Sequence, residues 1–231
     1  MHPTVKAARI AGAIYLLETL SGPFSLIYVP NALVVDGNPA ATAAKILAHQ
    51  TMFRFAIFAD LWSGVISIVL MFALYRLFKD VDRLQAVLMV VLGGVTVAPI
   101  FFLNALNWSA ALELVRGADY LSAFTTAQQR SLAMLFLQLH NQGNVVNGVF
   151  WGLWLFPFGL LVMKSGFIPY FLGIWLLIDG FAYLIFSAIG VLAPQYRDLV
   201  WTIGQPAFFG ELAILLFLVI KGANVPKALA A

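Results

Sequence analysis

The sequence predicts an all-α fold, a polytopic bundle of six transmembrane helices with both termini cytoplasmic. Of its 231 residues, 62% are hydrophobic and 10% are charged, against about 25% charged in an ordinary soluble domain. Mean hydropathy is +0.94, so too little polar surface exists to face water and most side chains must meet lipid. Several apolar runs of roughly 20 residues match a hydrocarbon core about 30 Å thick. In lipid each span must satisfy its own backbone, which makes helices the expected elements.

Hydropathy places the spans at 7–29, 52–75, 84–108, 132–163, 169–193 and 200–220. Lys6 and Arg9 before the first apolar run resemble the start of a signal peptide. Glu18 and Thr19 interrupt that run, it continues to about Val29, and no small-residue cleavage site stands out. It is expected to be a retained first helix. Asp36-Gly37-Asn38-Pro39 is a turn, with Asn38 and Pro39 suited to the N-cap and first position of a helix leading to the second span. RLFKDVDR and KSGFIP make short links. Thr126 with Gln129 has capping-box spacing, so the fourth helix should begin near Ala127. From there to Met163 is about 55 Å at 1.5 Å per residue, so this helix either outruns the bilayer or bends at Gly143, Gly148 or Gly152. No soluble domain or linker remains, and residues 1–231 read as a single membrane domain.

Charge and cysteine content narrow the chemistry. The pI is near 9.3, yet the thirteen Lys and Arg mark helix ends and form no basic stripe, so no nucleic-acid partner is expected. The chain has no Cys, which excludes disulfides, thiolate metal sites and Cys nucleophiles. With both termini inside, Lys6, Arg9, Arg76, Lys79, Arg83, Lys164, Lys221 and Lys227 lie on the cytoplasmic side. Lys45, Arg54, Arg116, Arg130 and Arg197 then lie opposite, and this eight-to-five bias sets the orientation in the cell's inner (plasma) membrane.

The stretch FLQLHNQGNVVNGVFWGLWLF, residues 136–156, carries groups that hydrocarbon cannot satisfy. At 100° per residue, His140, Asn144, Asn147 and Trp151 fall on one narrow stripe, with Gly148 and Gly152 beside it to permit close helix approach. Every other span offers a polar face as well. Glu18 aligns with Ser21, Gly22 and Ser25; Asp60 aligns with Ser63, Gly64 and Ser67, with His49 on the same side three turns away. Asn104 and Asn107 mark the third span, Asp179 stands between Trp175 and Tyr183, and Glu211 lies one turn from Ala207. Residue counts put Glu18, Asp179 and Glu211 near mid-membrane and the amides in the outer half, which predicts an outward-opening polar cavity with an acidic floor.

Ionisable groups at mid-membrane cost roughly 2.5–3.5 kcal/mol each on insertion scales and are functional candidates by default. One reading is a binding protein or transporter for a small cationic or amphipathic molecule, linked to proton exchange. Its site would be lined by Glu18, Asp60, Asn104, Asn107, His140, Asn144, Asn147, Trp151, Asp179, Tyr183 and Glu211. The alternative is an intramembrane enzyme acting on a lipid or isoprenoid, with Asp60 or Glu211 as acid and His140 as base. A metal-assisted variant would use His49, Asp60 and His140, although no HExxH or comparable spacing is present. A scaffold or sensor without chemistry of its own is the third reading, with the amides as interhelical glue. No GxSxG, P-loop or dinucleotide fingerprint occurs, and no cofactor is expected beyond that metal ion. Membrane lipid and a small molecule are the expected partners, and small-residue faces leave homo-oligomerisation open.

Three segments carry a family resemblance: ARIAGAIYLLE, DGNPAATAAKILAHQTMFRFAIFADL and FWGLWLFPFGLLVMKSGFIPYFLGIWLLIDGFAYL. They resemble the bacterial membrane family called domain of unknown function 4386, and the similarity runs over nearly the whole chain. The resemblance implies a six-helix integral membrane protein and brings no activity, cofactor or catalytic residue with it.

Overall fold

The computed structural model describes residues 2–224, and every described regular element is helical. Helix α1 spans Pro3–Gly22, passes through a π-helical turn at Pro23–Tyr28 and continues as α2, Val29–Leu33. Helix α3 is Pro39–Ala48 and α4 is Gln50–Phe78. Helix α5, Arg83–Val90, runs through a π turn at Val91–Val95 into α6, Val97–Arg116. Helix α7 covers Thr126–Ser165, α8 covers Tyr170–Leu192 and α9 covers Arg197–Ile220. Six helical stretches are long and apolar enough to cross a membrane: Pro3–Leu33, Gln50–Phe78, Arg83–Arg116, Thr126–Ser165, Tyr170–Leu192 and Pro194–Ile220. Large apolar side chains such as Val95, Leu106 and Ile203 stand exposed on them, as a lipid solvent requires. Lys227, counted on the cytoplasmic side, lies outside the described residues.

Local chemistry explains the ends and breaks. Asn38 caps α3 as its sequence suggests, its side chain accepting from the Ala41 amide at 3.0 Å. The capping box of α7 stands one residue earlier than expected. Thr125 Oγ1 accepts from the Gln128 amide at 3.3 Å, and Gln128 Oε1 accepts from the Thr125 amide at 2.8 Å. Gln129 instead donates to the carbonyls of Leu121 and Phe124. A Thr-Thr pair followed by Gln-Gln supports both registers, and the preceding 3₁₀ turn at Asp119–Leu121 supplies carbonyls that Gln129 can reach. Helix α7 remains helical through Gly143, Gly148 and Gly152 for 40 residues, about 60 Å. Gly117 and Gly166, at φ +70° and +68°, follow the last residues of α6 and α7; left-handed backbone there turns the chain out of the helix. Pro23 has no amide to donate, which opens the helix ladder where the first π turn begins.

The chain divides into two compact units. Among the described residues, one unit comprises 2–17, 65–98 and 145–224. Its core holds Tyr15, Phe78, Trp154, Phe158, Leu161 and Leu218. Trp154 and Phe158 stack at 5.1 Å, and Phe78 meets Phe158 edge-on at 5.8 Å. Helices approach closely here because small residues permit it. A Cβ on Gly152 would lie 2.6 Å from the Gly180 carbonyl, and one on Gly12 would lie 2.7 Å from the Val219 amide. At the α4–α5 link, Asp82 caps α5 and accepts from Lys164 Nζ at 2.7 Å. That hydrogen bond, first among the causes, holds the Asp82 carboxyl below its ordinary range.

The other unit comprises residues 18–64 and 99–144. Its core gathers Val29, Leu33, Ile46, Phe53, Trp108, Leu112 and Leu137. Phe53 stacks on Trp108 at 5.1 Å, and the Ser21 and Ser63 hydroxyls share a hydrogen bond of 2.8 Å.

Candidate functional site

Most of the polar residues singled out by periodicity gather in two clusters, one in each unit. In the unit containing residues 18–64 and 99–144, Asp60 on α4 and His140 on α7 are both buried, and His140 Nε2 lies 2.8 Å from Asp60 Oδ2. His140 Nδ1 faces Asn144 Nδ2 at 3.4 Å, and Asn144 Oδ1 accepts from Asn104 Nδ2 at 2.7 Å. The Trp108 ring stacks on the imidazole with centroids 3.9 Å apart.

These contacts form a polarised chain. With the proton on Nε2, His140 donates to the Asp60 carboxylate and accepts from the Asn144 amide. Asn144 then presents its oxygen to Asn104, so one tautomer satisfies every link. Gly143 makes room, since a Cβ there would lie 2.0 Å from Asn104 Oδ1. Asp60 Oδ1 is the exception, being buried with no hydrogen-bond partner.

In the other unit, α8 grips the backbone of α9 around a proline. Pro206 lies inside α9, and its ring displaces the carbonyl four residues back while contributing no amide. The Pro206 carbonyl accepts from Trp175 Nε1 at 3.1 Å, and the Glu211 amide donates to Asp179 Oδ2 at 3.2 Å. Trp175 and Asp179 are one turn apart on α8, so a single face makes both contacts. Gly210 permits the approach, because a Cβ there would lie 3.1 Å from Asp179 Oδ2.

The Glu211 side chain takes the Tyr15 hydroxyl as donor, and Tyr183 also hydrogen-bonds to it. Asp179 is fully buried with Oδ1 unpartnered, while Glu211 is half-buried. Among the described residues neither acid has an ion-pair partner. Trp151 meets Tyr183 edge-on at 5.9 Å, and Tyr183 lies 4.8 Å from Phe208.

The remaining candidates fall as follows. Asn147 is fully buried, and both of its amide atoms lack partners. Asn107 is half-buried on α6, and Glu18 is half-buried on α1 with its backbone carbonyl accepting from Ser21 Oγ at 2.8 Å. His49 does not continue the polar face of α4. It is the exposed C-cap of α3, with φ −123° and ψ 39°, and helical periodicity stops at that break. Among the described residues no three His, Asp or Glu side chains gather into a group that could hold a metal ion. Tyr15 was missed from sequence because a tyrosine in an apolar run reads as packing. Its signal is the position two turns from Ala8 and one from Ala11 on the buried stripe of α1.

The chain belongs to the family described as Domain of unknown function (DUF4386), which matches residues 10–222. It is also similar to a protein of Archaeoglobus fulgidus described as an uncharacterized protein. The two are 28% identical over 166 residues, 70% of this chain and 96% of the relative. No solved structure matches this chain.

Proposed function

We propose that this protein binds a small organic cation at the Asp179–Glu211 pair and carries it across the cell's inner membrane in exchange for protons. The observation that supports this reading most is the pair itself. Two acids from adjacent helices meet where no Lys or Arg pairs with either among the described residues. In a low-dielectric site such acids need a positive partner, and a proton or an organic cation can fill that role in turn. Trp175, Tyr183 and Trp151 supply aromatic faces that suit a cation with apolar substituents. The proline inside α9 and the π turn at Gly93 and Gly94 favour the same reading, since helices of irregular geometry recur at transport sites. Both termini face the cytoplasm on the Lys and Arg bias; single cysteines introduced into this Cys-free chain would label from that side only.

Tetraphenylphosphonium is a suitable probe, measured by calorimetry on protein in nanodiscs. Affinity should rise with pH between 5 and 9, by up to about tenfold per unit if one proton leaves per cation bound. Glu211→Gln and Asp179→Asn should flatten that dependence. Binding that ignores pH in the wild type, or survives unchanged in both variants, rules the proposal out.

Asp60 and His140 support a second reading, acid–base chemistry on a lipid, because a carboxylate-oriented imidazole is a general-base arrangement. Yet the other ring nitrogen meets Asn144 and Trp108 covers a ring face, which suits a holding role better than proton abstraction. Lipid turnover that Ala at both Asp60 and His140 abolishes would reverse this preference.

A further inference from the structure

The structure assigns a phospholipid headgroup site to a groove between α4 and α6, distinct from both polar clusters. The groove has a volume of about 300 Å³. Arg54 and Glu113 form its charged part, and Ile57, Phe58, Leu61 and Leu112 form its apolar part.

Charge and direction together identify the occupant. Arg54 is exposed in the second turn of α4, inside a stretch long and apolar enough to cross a membrane. Among the described residues it has no hydrogen-bond or ion-pair partner. Glu113 does not neutralise it, because its carboxylate is taken by Arg116 at 3.2 Å. Arg116 stands outside the groove's lining, but its pairing with Glu113 leaves the Arg54 charge uncompensated. A guanidinium beside hydrocarbon calls for an anion, and its planar donors match the oxygens of a phosphate.

The apolar residues continue from Arg54 along α4 toward the middle of the span, covering about 10 Å by Leu61 at 1.5 Å per residue. Phe58 and Leu61 are exposed. A charged end at the helix terminus and an apolar wall running inward repeat the polarity of a lipid in one leaflet. The phosphate sits on Arg54, and the first part of an acyl chain lies over Phe58 and Leu61.

The test is native mass spectrometry of protein in mild detergent, titrated with phosphatidylglycerol or with diacylglycerol of the same chains. Wild type should retain phosphatidylglycerol at least fivefold better than diacylglycerol. Arg54→Gln should lose that preference while keeping its lipid-free melting temperature, and Arg54→Lys should keep part of it. Equal retention of the two lipids by wild type, or an undiminished preference in Arg54→Gln, overturns the assignment. Displacement of the lipid by millimolar inorganic phosphate overturns it as well, by showing a free-anion site.

Discussion

Asp60 and His140, 80 residues apart in sequence, share a hydrogen bond of 2.8 Å while each is almost wholly buried. The bond joins α4 to α7, and stacking on Trp108 fixes the plane of the imidazole. Removing one partner of a buried pair leaves the other stranded, a change that costs about 3–5 kcal/mol in soluble proteins. His140→Ala should fall near the upper end of that range, since it also removes the Trp108 stacking. Asp60→Asn keeps the shape and a neutral hydrogen bond and should cost about 1 kcal/mol. Unfolding in mixed micelles with rising SDS would check both; wild-type midpoints in both variants would show that the pair does not hold the helices.

Glycine substitutions should rank by what the new methyl meets. Gly152→Ala drives a Cβ to 2.6 Å from a backbone carbonyl, that of Gly180, and neither helix can yield without shifting. Gly148→Ala instead meets Ser187 Oγ at 2.4 Å, so Ser187→Ala should restore much of the loss. Overpacking of this kind costs about 1–3 kcal/mol. Detergent melting curves should place Gly152→Ala well below the Gly148→Ala/Ser187→Ala double variant, and the reverse order would contradict the packing described.

Acid should weaken the α4–α5 link. Lys164 and the Gln85 amide hold the Asp82 carboxyl below its ordinary range, so its folded-state pKa is depressed relative to the unfolded chain. Its contribution is present in full above the unfolded value and is lost as pH falls through the folded one. The loss is confined to pH below about 4. Asp82→Asn should flatten that part of the stability profile, measured as melting temperature against pH. An unchanged acid limb would mean that the ion pair with Lys164 contributes nothing to stability.

Trp175 and Pro206 should act on one structural element. Trp175→Phe removes the 3.1 Å hydrogen bond to the Pro206 carbonyl and should cost about 1 kcal/mol. Pro206→Ala returns an amide to the helix ladder and removes the ring clash with Thr202. It should stabilise α9 while weakening the pH dependence of cation binding, because Glu211 then loses its present position against Asp179. Hydrogen exchange of the Glu211 segment, measured beside binding, separates the two effects. Faster exchange together with unchanged binding would contradict both.

The six spans were legible in the sequence because hydropathy accumulates along a continuous stretch and a helix satisfies its own backbone. The polar faces were legible for a similar reason: a rotation of 100° per residue puts Asp60 with Ser63 and Ser67, and His140 with Asn144, whatever surrounds them. Turn chemistry located the start of α3 through Asn38. It missed the start of α7 by one residue, because Thr125 and Thr126 are equivalent until the carbonyls of Leu121 and Phe124 are placed in space. His49 shows the other limit, since periodicity carries across a helix break that only the backbone reveals. Which faces meet depended on tertiary structure. Asp60 pairs with His140, and Asp179 reaches the amide of Glu211, through contacts between residues 80 and 32 positions apart. Periodicity sets the direction in which a side chain points around its own axis; the neighbouring helix and its height along that axis are set by packing at glycines such as Gly143 and Gly210, where backbones come close enough for short polar side chains to touch.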